Sequence, residues 1–399
     1  MDRAGAQKSA TTRGHPFDVP QQPTFSLRYI GRRRALLSPP PGSSRYALFM
    51  ARNAIYHSVR MLGISPGQTI LVPAYVCKSA VEPLLAAGAK VDFYAVTRRC
   101  EVDFDDLAPR ITVDTAAVLA IHYFGFPTTI DRMRAFCDDR RIALIEDCAH
   151  VLFDRLNGRP LGTFGDVSMF SWHKFLPIYD GSTLQINNLD PTRDLELGKA
   201  PMGVIARSAN RALTGAFFFD EAVRLVKRLL GREVAETVTG DERQVPPPVD
   251  PFETPTEQFN ISNAGVAMTW PSRLVLEHTD LLAIAAARRA NFEALSCRLE
   301  ATPGVTPLHT SPPPDGAPWV FPLVFEGHRD AHKTIRKHGV PAVAWDGVRP
   351  PQLSDTWSDA DFLYHHLVFL PVHQGLDTSH LELIARAVEV TTSGRPGPP

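Results

Sequence analysis

From residue 47 to about 187 the sequence alternates between two hydrophobic periods, one suited to helices and one to short buried strands, with glycine or proline at most of the changes. Residues 69–73, 90–96, 116–121 and 142–147 read as strands, and 47–62, 76–87, 103–110 and 129–140 as helices. Strands that follow one another through helices run parallel, because an antiparallel pair needs only a tight turn between them. A parallel sheet must be covered on both faces. The expected fold class is therefore α/β, a three-layer α/β/α arrangement around a mostly parallel sheet, with functional groups on the loops beyond the strand C-termini.

Proline, 35 of 399 residues, punctuates the chain at 39–41, 246–248, 312–314, 350–351 and 396–399. These clusters divide it into a disordered or extended tail over 1–44, a large domain over 45–250, inter-domain helices with a small C-terminal α/β domain over 251–393, and a flexible tail over 394–399. Residues 207–232 are expected to form an amphipathic helix, and 262–298 one or two more. Strands are expected at 319–325, 340–345 and 367–372, with helices at 329–338 and 379–390.

Forty-two basic side chains against 43 acidic ones leave no field to draw the chain to nucleic acid or an anionic membrane. The five cysteines are scattered and include no C-x-x-C pair, which argues against a disulfide framework or a zinc site and for a reducing compartment. The first 25 residues carry no apolar core of a secretory signal, and no run is long enough for a membrane helix. A cytoplasmic protein is expected.

Two residues stand out chemically. Asp147 ends an apolar strand, where poor solvation calls for a positive partner. Lys174 lies in Phe170-Ser171-Trp172-His173-Lys174-Phe175-Leu176-Pro177, where desolvation would free its amine to attack carbonyls. An amine and a carboxylate so placed suggest pyridoxal 5′-phosphate (PLP), which needs a lysine for its aldehyde and an acid for its pyridine nitrogen. Its phosphate could lie at the start of the helix that Met50-Ala51-Arg52-Asn53 opens, with Ser171 adding a hydroxyl.

The chain resembles the DegT/DnrJ/StrS family of sugar aminotransferases, PLP enzymes of fold type I, from about Arg45 to the final helix. Gly63-Ile64-Ser65-Pro66-Gly67 through Pro73-Ala74-Tyr75, His122-Tyr123-Phe124-Gly125-Phe126-Pro127, Ile145-Glu146-Asp147-Cys148-Ala149-His150 and Gly162-Thr163-Phe164-Gly165-Asp166 are similar to that family's motifs in the family's order. The resemblance implies that Lys174 bonds the cofactor's aldehyde, that Asp147 faces the pyridine nitrogen, and that His150 lies near the 3-hydroxyl. It gives Arg52, Asn53 and Ser171 to the phosphate, and Asn260, in Gln258-Phe259-Asn260, to the phosphate of a neighbouring subunit. A homodimer with shared sites follows, acting on a small-molecule amino donor and a keto acceptor.

This sequence departs from the usual pattern in three places. Ser171 and Lys174 are two residues closer together than usual, and the following Pro177-Ile178-Tyr179-Asp180-Gly181 resembles a short "K-x-L-P-x-x-D-G" subgroup. Where many members stack an aromatic ring on the cofactor, alignment gives Cys77, with Tyr75 two residues before. The run after Asn260 lacks the usual arginine. The implied activity is transfer of an amino group, from glutamate or glutamine, to a keto sugar, a nucleotide-linked sugar or a cyclitol. The alternatives are a PLP-dependent lyase or dehydratase, and a catalytically silent regulatory relative. A dinucleotide-binding reductase is disfavoured by the absence of G-x-G-x-x-G after the first strand. No metal is expected: His365 and His366, read as strand neighbours, would point to opposite faces. Arg32-Arg33-Arg34 reads as a solvated flank, and Cys148 and Phe217-Phe218-Phe219 as core.

Overall fold

The computed structural model describes residues 17–31, 40–188, 194–214 and 259–393. In its large sheet, β1 (Ser44–Leu48), β2 (Thr69–Pro73), β3 (Lys90–Tyr94), β4 (Thr115–Ile121) and β5 (Ala143–Cys148) come first in the chain. A two-residue hairpin, β6 (Arg155–Leu156) and β7 (Arg159–Pro160), then leads to β8 (Val167–Ser171) and β9 (Ser182–Ile186). Across the sheet the order is β1-β9-β8-β5-β4-β2-β3. Neighbours from β8 to β3 are parallel, and β9 runs against both β8 and β1, so six of the seven strands point one way. The fold is α/β as expected. Val118, Leu119, Ala120, Leu144 and Ile145 are wholly buried, which is why the middle strands read as unbroken apolar runs.

Helix α1 (Ala51–Met61) packs on β8 and β9, and α2 (Lys78–Ala86) packs on α1 and β3. After the short α3 (Phe104–Leu107), helix α4 (Ile130–Arg140) covers β4 and β5. The C-terminal part carries a second sheet, β10 (Val305–Pro307), β11 (Val320–Phe325) and β12 (Leu367–Pro371), all antiparallel. The helices Leu281–Leu299, Ala331–Lys337 and Thr378–Ser393 pack around it.

Several expectations are corrected. Ala47 and Leu48, expected in the first helix, belong to edge strand β1, and the helix starts at Ala51. Residues 340–345 do not form a strand: Val343 makes a single bridge to Phe369, and Pro341 has no N–H to extend it. His365 and His366 end a helix, Ser358–His366, rather than occupying a strand; His365 pairs with Asp330, and His366 Nδ1 lies 2.7 Å from the Phe325 carbonyl. Part of the expected N-terminal tail is packed on the protein: Phe17, Val19 and Tyr29 are buried, and the Asp18 and Val19 N–H groups donate to the Gly339 carbonyl. Strand β9 escaped the sequence reading because it opens Ser182-Thr183 and carries Gln185. Of the helix expected over 207–232, Met202–Thr214 is described. Arg32 to Arg34, Phe217 to Phe219, the prolines at 246–248 and the tail 394–399 lie outside the described residues.

Candidate active site

Strand β5 delivers two adjacent acids, and strand alternation sends them to opposite faces of the sheet. Glu146 Oε1 accepts from the Gly162 N–H at 2.6 Å and lies 3.0 Å from His122 Nε2, while Oε2 accepts from the Phe164 and Gly165 N–H groups, both at 2.8 Å. Burial alone would raise its pKa. The His122 bond and charge and the Gly165 and Gly162 N–H groups outweigh that, and the carboxyl stays below its ordinary value. Glu146 thus clamps the Gly162-to-Gly165 loop onto the sheet. His122 Nδ1 accepts from the Thr128 N–H, so the ring proton faces Glu146 from Nε2.

Asp147, on the other face, has little support of this kind. Its Oδ1 accepts from the Ala149 N–H at 2.8 Å. Burial raises its pKa, opposed by that N–H, by the charge of Lys174 and by His122. It is a buried carboxylate in the field of the expected lysine.

Lys174 closes a 3-10 turn, Trp172–Lys174, that leaves β8 directly after Ser171. Its Nζ lies 4.5 Å from the centre of the Trp319 ring. That ring stacks on His150 at 4.1 Å, and the Phe124 N–H donates to His150 Nδ1. Burial, with the charges of Lys174 and His122 nearby, drives the His150 pKa well down, so its free nitrogen, Nε2, carries the proton. Trp319 was read only as the first residue of a strand expected at 319–325, not as a site residue, since its chain segment lies far from every motif.

The anion-binding end follows from strand register. Ser171 pairs with Ser182, and Leu48 with Ser182, so the three side chains share a face. Asp147 lies opposite Met169, two residues before Ser171, and so shares that face too. Helix α1 begins three residues beyond Leu48, which brings its N-terminal N–H groups beside the two serines. Among the described residues the buried Ser182 hydroxyl has no partner. Ser171 Oγ lies 3.2 Å from His173 Nδ1, and burial with the charges of Lys174 and Arg52 pushes His173 down to about 3, keeping it neutral. Arg52, Ser171, Ser182 and His173 therefore gather at one helix start. Ser182 and His173 went unnoticed in the sequence, although the shortened serine-to-lysine spacing pointed to this turn.

One expected phosphate contact stands elsewhere. The Asn53 amide donates to the Asn263 and Ala264 carbonyls at 2.6 and 3.1 Å, so it ties α1 to the turn at 261–264. Asn260 is exposed, and its Oδ1 accepts from the Ser262 N–H and hydroxyl. Of the two candidates for the ring-stacking position, Cys77 is in the site: its thiol lies in the fields of Lys174 and Asp147, with burial raising its pKa. Tyr75 is wholly buried among Tyr123, Trp345 and Tyr364, with centroids 4.8 to 5.9 Å away.

The short lysine loop ends on Asp180-Gly181, and Asp180 is a structural anchor. It is wholly buried; its Oδ1 accepts from the hydroxyls of Ser208, Thr269 and Ser272 at 2.6 to 3.0 Å, and its Oδ2 from the Thr269 N–H. Gly181 adopts φ 138°, and a Cβ there would lie 2.8 Å from Met268 Cε.

Residues 47–182 match the model of the DegT/DnrJ/EryC1/StrS aminotransferase family. The match covers about a third of the chain. The chain is 32% identical over 155 residues to the GDP-perosamine synthase of Vibrio cholerae, covering 38% of this chain and 42% of that one. It is 33% identical over 131 residues to the dTDP-4-dehydro-2,3,6-trideoxy-D-glucose 4-aminotransferase of Saccharopolyspora spinosa, covering 32% and 34%. The matched regions thus span less than half the length of these curated relatives. Over nearly the whole chain the fold is that of the aminotransferase TlmJ from Streptoalloteichus hindustanus, with TM-score 0.64, 18% identity and coverage of 92% and 93%. A Streptococcus pneumoniae protein named as a sugar aminotransferase, solved in its PLP form, aligns with TM-score 0.66 and 15% identity, covering 95% and 99%. No helix among the described residues is long and apolar enough to cross a membrane.

Proposed function

We propose that the protein is a PLP-dependent aminotransferase that moves an amino group from an amino acid, glutamate or glutamine, to a keto sugar carried on a nucleotide. The observation that carries this reading is the meeting of Lys174 and Asp147: a half-buried ammonium on the turn that follows β8 and a buried carboxylate near the end of β5 that lies in its field. The residues present fit the cofactor. The orphaned Ser182 hydroxyl, Ser171, Arg52 and the α1 N-terminus suit its phosphate, and Asp147 suits its pyridine nitrogen. When bound, PLP supplies an aldehyde that condenses with amines and a ring that spreads the electron pair left on the donor carbon.

The protein's own groups do the rest. Lys174 Nζ is the group that would hold the aldehyde and, when free, the base that would take the proton from the donor α-carbon. Asp147 holds a proton on the pyridine nitrogen; its burial makes that ion pair stronger than it would be in water. His150 Nε2–H is the donor available to the 3-hydroxyl. Cys77 stands where a larger ring would stack, and Trp319 covers His150 and the lysine amine.

A second subunit is part of the reading. Asn260 and Ile261 are exposed, as are Trp270 and Leu274 one helical turn apart, and this apolar surface suits a copy of the chain that receives Asn260 in its phosphate site. The nucleotide-sugar class rests on the relatives' names, two of which carry GDP or dTDP.

Borohydride reduction of protein incubated with PLP, followed by peptide mapping, tests the cofactor assignment: the label belongs on Lys174. Release of 2-oxoglutarate from glutamate beyond one equivalent per bound cofactor only when a keto sugar is present tests transfer. A product formed by loss of water without amino transfer would point to the lyase alternative instead.

A further inference from the structure

Beneath the lysine loop lies a buried cation that the proposed chemistry does not use. Arg288, on the helix Leu281–Leu299, is 1% exposed. Its Nε donates to Gln374 Oε1 at 3.0 Å, its Nη1 to the Pro318 and Trp319 carbonyls at 3.3 and 3.0 Å, and its Nη2 to the Lys174 and Phe175 carbonyls at 3.3 and 3.5 Å. The guanidinium also lies over the Phe175 ring at 4.8 Å. Gln374 completes the arrangement by donating to the Phe175 carbonyl at 2.8 Å. Among the described residues no carboxylate pairs with Arg288. Its burial is costly enough to push its pKa down to about 9.

A protein could fill this volume with an apolar side chain at less desolvation cost, but an apolar residue would take the guanidinium donor away from the Lys174, Pro318 and Trp319 carbonyls and leave the Phe175 carbonyl to Gln374 alone. The guanidinium fork joins two segments. One carries Lys174; the other carries Trp319, whose ring contacts both the Lys174 amine and His150. Lysine in its place would be a single flexible point charge and could not reach both pairs of carbonyls together.

We propose that Arg288 is a positioning residue: by binding the carbonyls of Lys174 and Phe175 and those of Pro318 and Trp319 with one guanidinium, it sets where the Lys174 amine stands against Trp319 and His150. The clamp itself is independent of cofactor, while its value to catalysis rests on Lys174 acting as proposed above.

The test uses full-length protein without and with PLP. Reductive methylation with formaldehyde and cyanoborohydride, followed by peptide mass mapping, reads the reactivity of the Lys174 amine with no cofactor present. Arg288→Met should raise the Lys174 labelling rate by about tenfold, the scale of one lost charge-assisted hydrogen bond, with other lysines unchanged. Arg288→Lys should fall between that variant and wild type. With PLP added, Arg288→Met should bond the cofactor at Lys174 more slowly and lower kcat more than it raises KM. Wild-type labelling and wild-type bonding rates in a folded Arg288→Met protein would overturn the proposal. If that variant does not fold, Gln374→Leu, which removes one partner of the clamp, must shift Lys174 labelling in the same direction, and no shift there also overturns it. Wild-type protein that takes up no PLP would refute the aminotransferase reading alone, because the labelling comparison needs no cofactor.

Discussion

Glu146→Gln and Asp147→Asn remove one charge each from neighbouring buried residues, and the structure assigns them opposite consequences. A glutamine at 146 keeps one acceptor oxygen and turns an NH2 toward two donors that the carboxylate had satisfied. His122 cannot relieve this by exchanging tautomers, since its Nδ1 would then present a proton to the Thr128 N–H. Two charge-assisted hydrogen bonds are lost at about 1.5–3 kcal/mol each, or about 3–6 kcal/mol in all. Asparagine at 147 can still accept from the Ala149 N–H, and it removes a charge whose burial was unfavourable, so the stability change should be within about 1 kcal/mol.

The pH dependence separates the two residues as well. The Glu146 pKa is depressed in the folded protein, so its stabilisation is present above the unfolded carboxyl's pKa and is lost as pH falls through the folded value. The Asp147 pKa is raised, so it penalises folding increasingly as pH rises through that value. Urea denaturation midpoints of wild type and both variants, at neutral and mildly acid pH, measure this. Glu146→Gln should be markedly weaker at neutral pH and closer to wild type in acid. Asp147→Asn should match or exceed wild-type stability at neutral pH while its transamination rate falls by orders of magnitude. Equal midpoints for the two variants would refute the division of labour.

Three further outcomes are expected. Lys174→Ala should retain the wild-type circular dichroism yet show no borohydride-stable cofactor label and no turnover; a label on another lysine would move the site. Ser182→Ala should weaken PLP binding by about fivefold, the worth of one hydrogen bond of about 1 kcal/mol, with kcat at saturating cofactor little changed. Asp180→Asn sets an amide NH2 against the Thr269 N–H and should lower thermal stability by about 2–4 kcal/mol, which calorimetry would detect.

Much of this was legible in the sequence because period and position coincide with chemistry. Apolar runs marked β2, β4 and β5, and the acid near the end of β5 stands with the expected lysine in the structure, although β8, which that lysine follows, was not read as a strand. Register was not legible: that Ser182 lies beside Ser171 depends on β9 pairing antiparallel to β8, and β9 carries too many polar residues to announce itself. Neither were the long-range supports. Arg288 looks like an ordinary residue on an amphipathic helix, and its partners at 174, 318 and 374 are joined only by folding. Asn53 illustrates the converse, a motif residue whose amide is taken up by the 263–264 backbone.

The docked N-terminal segment reaches farther than its place in the chain suggests. The Tyr29 hydroxyl donates to the Gln374 carbonyl, and the His373 ring lies 2.9 Å from the Pro20 carbonyl, next to the glutamine that braces Phe175. Protein trimmed past residue 29, or carrying a bulky affinity tag wedged against that stretch, would lose a prop beneath the turn that carries Lys174. Purified material of that kind could then pass for an inert homologue through an accident of cloning.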